Sequence, residues 1–155
     1  MDKKISGNIS SVKQSTIEYM ESFIENVYSP GEFFPEEVVE MMLAVTCETK
    51  RETAVYIDRK NRIVNISIGD THSVDLPETE SSRRSELRLC GIRILHTHPN
   101  GSNYPSEVDL NSLRSMRFDA MCVIGVNVDD KRITGLSASL LERDIDGLLA
   151  GNYLF

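Results

Sequence analysis

Residues 90–116, CGIRILHTHPNGSNYPSEVDLNSLRSM, constrain the fold of this 155-residue chain more than any other stretch. They open on a short apolar run, CGIRILH, with the character of a strand. Pro99 and Gly101 then stop the strand and allow a tight turn. Ser106 is a favoured helix N-cap with Asp109 three residues on, so a helix is predicted over about 107–117. A strand that feeds a loop and then a helix must bury a face of each, which calls for neighbouring strands and a helix layer on the sheet. AMCVIGV and ITGLSASL, which follow, read as two such strands, the first apolar enough to lie inside a sheet.

The rest of the chain fits that scheme. Residues 10–27 carry Val12 and then Ile17, Met20, Phe23, Ile24 and Val27, the last five at three- and four-residue intervals, and predict one helix. The turn signal SPGEFF follows, and Pro35-Glu36-Glu37 starts a second helix expected over 35–48. TAVYID and RIVNISIG are β-branched runs joined by the polar turn Arg59-Lys60-Asn61, a hairpin. Residues 70–88 are polar and turn-rich, a surface excursion with a short strand expected near 73–76. The tail LLERDIDGLLAGNYLF admits two readings, a short terminal helix or the cut end of a longer protein. The order of elements implies one α/β domain over 1–155, a mixed β-sheet packed by helices.

Composition narrows the function classes. The chain is 40% hydrophobic and 26% charged, as an ordinary globule is, and its formal net charge is −7. That balance argues against direct nucleic-acid binding, since no compensating basic run appears and Arg83, Arg84 and Arg88 read as a solvated loop. Cys47, Cys90 and Cys122 are odd in number and far apart, which suits reduced thiols and excludes a C-x-x-C zinc finger. The N-terminus lacks the apolar core of a signal peptide, and no run approaches the roughly 20 apolar residues that span a bilayer. The expected location is cytoplasmic, with no membrane partner.

Two of the three histidines stand at 96 and 98. Side chains two apart on a strand share a face, so both imidazoles project together at the strand's carboxyl end. Asp109, in the first turn of the following helix, can point back toward them. Two imidazoles and one carboxylate make the protein ligand set of a catalytic zinc site, with the fourth tetrahedral position left for water. The residue types also have plainer uses: Ser106-x-x-Asp109 alone is a capping motif, and one histidine of an H-x-H pair can simply close a loop. His72 reads as an exposed loop residue.

HTHPNGSNYPSEVD resembles the H-x-H-P-x-G-x-x-x-P-S-x-x-D signature of JAMM/MPN+ metalloproteases, shared by RadC-like bacterial domains. His96, His98, Pro99, Gly101, Pro105, Ser106 and Asp109 match it, seven positions in fourteen residues. The resemblance implies a JAMM/MPN-like fold and zinc held by His96, His98 and Asp109. It further implies that Ser106 steadies the oxyanion and that a glutamate acts as general base on the zinc-bound water. Glu52 is the choice for that base and Glu48 the competitor. The implied reaction is hydrolysis of a peptide or isopeptide amide in a peptide or protein substrate. Residues from about 7 to 141 also resemble the N-terminal domain of HflX-type GTPases, through GNISSVKQST, AVYIDRKNRIVNISIGD, LRLCGIRILHTHP and DLNSLRSMRFDAM. That resemblance implies an alternative, a non-catalytic binding module whose partners are a G domain or the ribosome. No G-x-x-x-x-G-K-[ST] loop occurs in these residues, so such a G domain would lie beyond Phe155. Arg114, Arg117 and Asp119 match the same pattern and are expected to be structural, an ion pair or cap joining the motif helix to the next strand.

Overall fold

The computed structural model describes residues 4–29, 31–69, 89–144 and 147–155 and centres on the motif strand. In chain order the elements are β1 (Ile5–Gly7), α1 (Gln14–Glu21), α2 (Glu36–Thr49), β2 (Thr53–Asp58), β3 (Ile63–Ile68), β4 (Ile92–His98), α3 (Glu107–Met116), β5 (Ala120–Asn127), β6 (Arg132–Asp144) and β7 (Gly147–Leu154). The strands form one seven-stranded sheet in the order β1-β3-β2-β4-β5-β6-β7, which puts the histidine-bearing β4 in the middle. β4 and β5 are parallel, joined by α3, and β1 is parallel to β3; the remaining neighbours are antiparallel. This is the mixed α/β sheet that the element order implies.

Alternation along the strands divides the core in two. Val55, Ile57, Leu95, Cys122, Ile124 and Val126 face α1 and α2, packing with Met20, Val38, Met41, Met42 and Val45. Ala54, Tyr56, Ile94 and Met121 face the other way, against Leu113 and Phe118 beside α3. α2 starts after Pro35 with Glu36 and Glu37 in its first turn and ends on Lys50, whose N–H still bonds the Thr46 carbonyl and whose left-handed φ of 57° then turns the chain out of the helix. The reversal is tight, and it delivers the chain from α2 to β2 within three residues, at the carboxyl end of β4.

Two expectations need correction. The helix expected over 10–27 covers only Gln14–Glu21. Phe23 and Ile24 follow in tight turns, their N–H groups bonding Met20 and Glu21 carbonyls three residues back, so they stay on the packed side without helical winding. Glu25, at φ 69°, ends the turn, and Val27 leaves to bridge Arg62, 66% exposed. The tail is not a helix. It extends β6 and returns as β7, paired from Asp144↔Gly147 to Ser137↔Leu154. Its apolar residues have no 3.6-residue stripe to bury, whereas β6 offers a full row of partners; Phe155 stacks on Phe33 at a ring separation of 5.6 Å. The strand expected near 73–76, together with His72 and Arg83, Arg84 and Arg88, lies outside the described residues. Among the described residues no helix is long and apolar enough to cross a membrane.

Candidate metal centre

β4 carries Ala54's partner, His96, and then His98 on the α3 face, both nearly buried at 3% and 6% exposure. Their rings stand at 89° with centroids 4.8 Å apart. α3 brings the third group. Ser106 is its N-cap, accepting the Asp109 N–H at 3.1 Å, while the Asp109 Oδ2 accepts the Ser106 N–H at 2.7 Å, a complete capping box. The same Oδ2 lies 3.2 Å from His98 Nε2 and 3.6 Å from His96 Nε2. Asp109 therefore serves its helix and faces the histidines at once. The ligand atoms of the three residues all lie within 4.8 Å of one another.

These residues fit a divalent metal. Bonds of about 2.0–2.1 Å in tetrahedral geometry place neighbouring ligand atoms about 3.3–3.4 Å apart, close to both carboxylate–imidazole spacings here. His96 Nε2 is buried with no hydrogen-bond partner, a cost that a metal would remove. Burial, reinforced by the charge of His98 and outweighing Asp109, holds the His96 pKa down to about 4, so the ring is neutral and free to ligate at neutral pH. For His98, burial works downward, but the Asp109 hydrogen bond and the charges of Asp109 and Glu52 prevail and raise it. For Asp109, burial works upward, but the His98 hydrogen bond, His96 and the Ser106 N–H hold the carboxyl down to about 2.

Glu52, immediately before β2, is buried at 6% exposure on the same face. Burial pushes its pKa up to about 7; the charge of His98 opposes this and that of Asp109 adds to it, which places the carboxyl within electrostatic reach of both. Glu48 turns elsewhere: it accepts the Thr16 hydroxyl at 2.6 Å and lies 3.6 Å from Lys13 Nζ. Ser106 is exposed, and its hydroxyl oxygen accepts the Asp109 N–H. Asp119 pairs with Arg59 through both carboxylate oxygens, at 2.7 and 3.0 Å, and accepts the Gly91 N–H. It thus joins the β2–β3 turn to the start of β5, while Arg117 is the left-handed C-cap of α3.

Several residues that shape the site carry no motif. The loop between His98 and Ser106 lies on β5 and β6: Thr134 Oγ1 donates to the Gly101 carbonyl at 2.7 Å, and the Ser137 hydroxyl donates to the Asn103 carbonyl. Close approach depends on two glycines. Gly125 sits opposite His98 in the β4–β5 register, and a Cβ there would run into Thr134 Oγ1 and lie 2.8 Å from the Gly101 carbonyl oxygen. A Cβ on Gly135 would lie 2.6 Å from Asn103 Nδ2. Gly125→Ala is therefore expected to lift the loop, costing about 1–3 kcal/mol of stability and weakening metal binding together. Thermal melts with a parallel zinc titration check this; a variant with unchanged zinc affinity would show that the loop's seat on β5 is unimportant to the site. The only sequence signal for this device is a glycine inside an otherwise β-branched strand, a mark of close backbone approach.

Residues 31–137 match a family described as prokaryotic homologs of the JAB domain. Among curated proteins, a UPF0758 protein of Ruegeria pomeroyi is 29% identical over 97 residues, which is 60% of this chain and 43% of the relative. A UPF0758 protein of Syntrophomonas wolfei is 29% identical over 111 residues, 65% of this chain and 47% of the relative. The chain thus spans less than half the length of either. No solved structure gives a significant match. These similarities accord with the JAMM/MPN, RadC-like resemblance of the motif; they do not extend to the HflX-like one.

Proposed function

The chain belongs to the prokaryotic homologs of the JAB domain, and from that premise we propose that it is a zinc-dependent hydrolase of peptide or isopeptide amides. The observation that carries the reading is the cluster of buried His96 and His98 with partly buried Asp109, with an unpartnered His96 Nε2 and the buried Glu52 beside it. His96, His98 and Asp109 would hold the metal. Zinc supplies Lewis acidity there, acidifying water and polarising an amide carbonyl.

The remaining chemistry belongs to the side chains. Glu52, with a pKa near 7 rather than 4.5, is a base that accepts a proton at neutral pH and gives it up again to a departing amine. Ser106, the exposed N-cap of α3, donates its hydroxyl hydrogen bond to the negative charge that develops on the attacked carbonyl oxygen. A cavity of about 650 Å³ bordered by Lys50, Pro99, Gly101, Asn127 and Thr134 adjoins the loop that follows His98. The alternative, a module that docks on a G domain or ribosome, has no use for a buried carboxylate and an unpartnered imidazole, both of which cost stability.

Protein produced with zinc available is expected to carry one zinc per chain by elemental analysis and to lose it in His98→Ala. Metal-loaded wild type should cleave members of a panel of fluorogenic peptide and lysine-linked isopeptide amides. Absence of stoichiometric metal from the wild type would end the hydrolase reading.

A further inference from the structure

We propose that Thr97 is a positioning residue whose buried hydroxyl stands in for a main-chain carbonyl as acceptor of the Thr53 N–H, fixing the start of β2 so that Glu52 is directed at the metal ligands. The proposal deepens the hydrolase reading and rests on it for the role of Glu52. The paired register of β2 and β4 runs from Asp58↔Ile92 to Ala54↔His96. One step further sets Thr53 opposite Thr97, and two steps set Glu52 opposite His98.

Along a strand, successive residues send their N–H and C=O groups to opposite neighbours. The Glu52 carbonyl accepts the Gly69 N–H on the β3 side, so the Thr53 N–H faces β4. A regular ladder would bring it to the Thr97 carbonyl. Instead it donates to Thr97 Oγ1 at 2.9 Å. That hydroxyl lies 2.7 Å from Thr46 Oγ1, which lies 3.2 Å from Thr53 Oγ1. All three threonines are fully buried, and they tie α2, β2 and β4 at one point on the side away from the metal ligands.

The hydroxyl takes the Thr53 N–H where the paired register ends, at Ala54↔His96, and so holds the chain one residue after Glu52. Glu52 lies just before this anchor, buried on the face that Ala54 and His96 define. β4 is held independently on its other side, paired with β5 as far as His98↔Gly125. Loss of the hydroxyl should therefore move the start of β2 and leave the histidines in place.

The test compares wild type, Thr97→Val and Thr97→Ser, with Glu52→Gln as reference. In the metal-free proteins, amide exchange at Thr53 is expected to quicken at least about tenfold in Thr97→Val while β4–β5 amides keep their protection. Zinc affinity should stay within about threefold of wild type, less than loss of a partner supporting a ligand costs. The pH dependence of the visible spectrum of the cobalt-substituted protein should move to that of Glu52→Gln, and Thr97→Ser should restore every property. Should Thr97→Val fail to fold, Thr97→Ala, which removes the same hydroxyl without adding a methyl beside the Thr53 N–H, provides the same comparison. Unchanged exchange at Thr53, a serine variant that behaves like the valine one, or zinc affinity lost in step with exchange would each overturn the proposal. A wild type that binds neither metal would sink the hydrolase reading alone, since the exchange comparison still decides on Thr97.

Discussion

Asp109→Asn is expected to strip the protein of zinc while leaving α3 in place. The two functions of this carboxylate can be separated because they use its atoms differently. As the third residue of α3 it accepts the Ser106 N–H at 2.7 Å, and an asparagine oxygen can do the same. As a candidate ligand it contributes negative charge between two imidazoles, at 3.2 and 3.6 Å, and a neutral amide cannot. Zinc affinity should therefore fall by more than about 100-fold, since loss of even an outer hydrogen-bond partner of a ligand costs about 10–100-fold. Asp109→Ala should lose zinc to the same degree and also about 1 kcal/mol of helix-cap stability. Competition with a chelating dye gives the affinity, and melting in excess chelator gives the cap. An asparagine variant that binds zinc as the wild type does would show that the carboxylate is only a cap, and the three-ligand site would not exist.

How much of this was legible beforehand depended on the range of the interaction. The unit β4–loop–α3 is specified by neighbours in sequence: two-residue alternation puts His96 and His98 on one face, and Ser106 with Asp109 marks the helix start. The hairpin of β2 and β3 is equally local. Glu52 and Glu48 were a choice between two acids at one helix–strand junction, and only a pairing across more than forty residues, Ala54↔His96, distinguishes them. The left-handed Lys50 turns the chain between the two, sending Glu48 to Thr16 and Glu52 inward. Thr97 was invisible for a related reason. It lies between the motif histidines but points to the other face, and its role arises from Thr46 and Thr53, on separate elements. The C-terminal strand was missed because LLAGNYLF has neither a helical nor a strand period of its own and takes its form from β6. Local chemistry was therefore readable where one segment carried it, and unreadable where a side chain acquires its role from a partner distant in sequence.

Glu52→Gln should make the metal-free protein more stable and the metal-loaded protein inactive. Folding takes this carboxyl from a pKa of 4.5 up to about 7, mainly by burial. Between those values the folded state keeps a proton that the unfolded chain releases, so the group's contribution to stability falls as pH rises through the window. Above pH 7 the whole penalty is present, at most about 3 kcal/mol for a shift of this size. Below about pH 4.5 both states are protonated and it vanishes. Glutamine keeps the shape without the charge, so its advantage in melting temperature should be absent near pH 4.5, grow through neutrality and level off by pH 8, reaching several degrees. Zinc binding should survive, because Glu52 stands outside the proposed ligand set. Turnover should fall by about 10²–10⁴-fold through loss of the proton acceptor. Gain of stability with loss of activity is the mark of a group retained for chemistry against a folding cost. Melting curves from pH 4.5 to 8 in chelator, beside turnover of the zinc form, measure both effects. A variant that became less stable at pH 8 would assign Glu52 to the architecture of β2 and leave the proposed hydrolysis without its base.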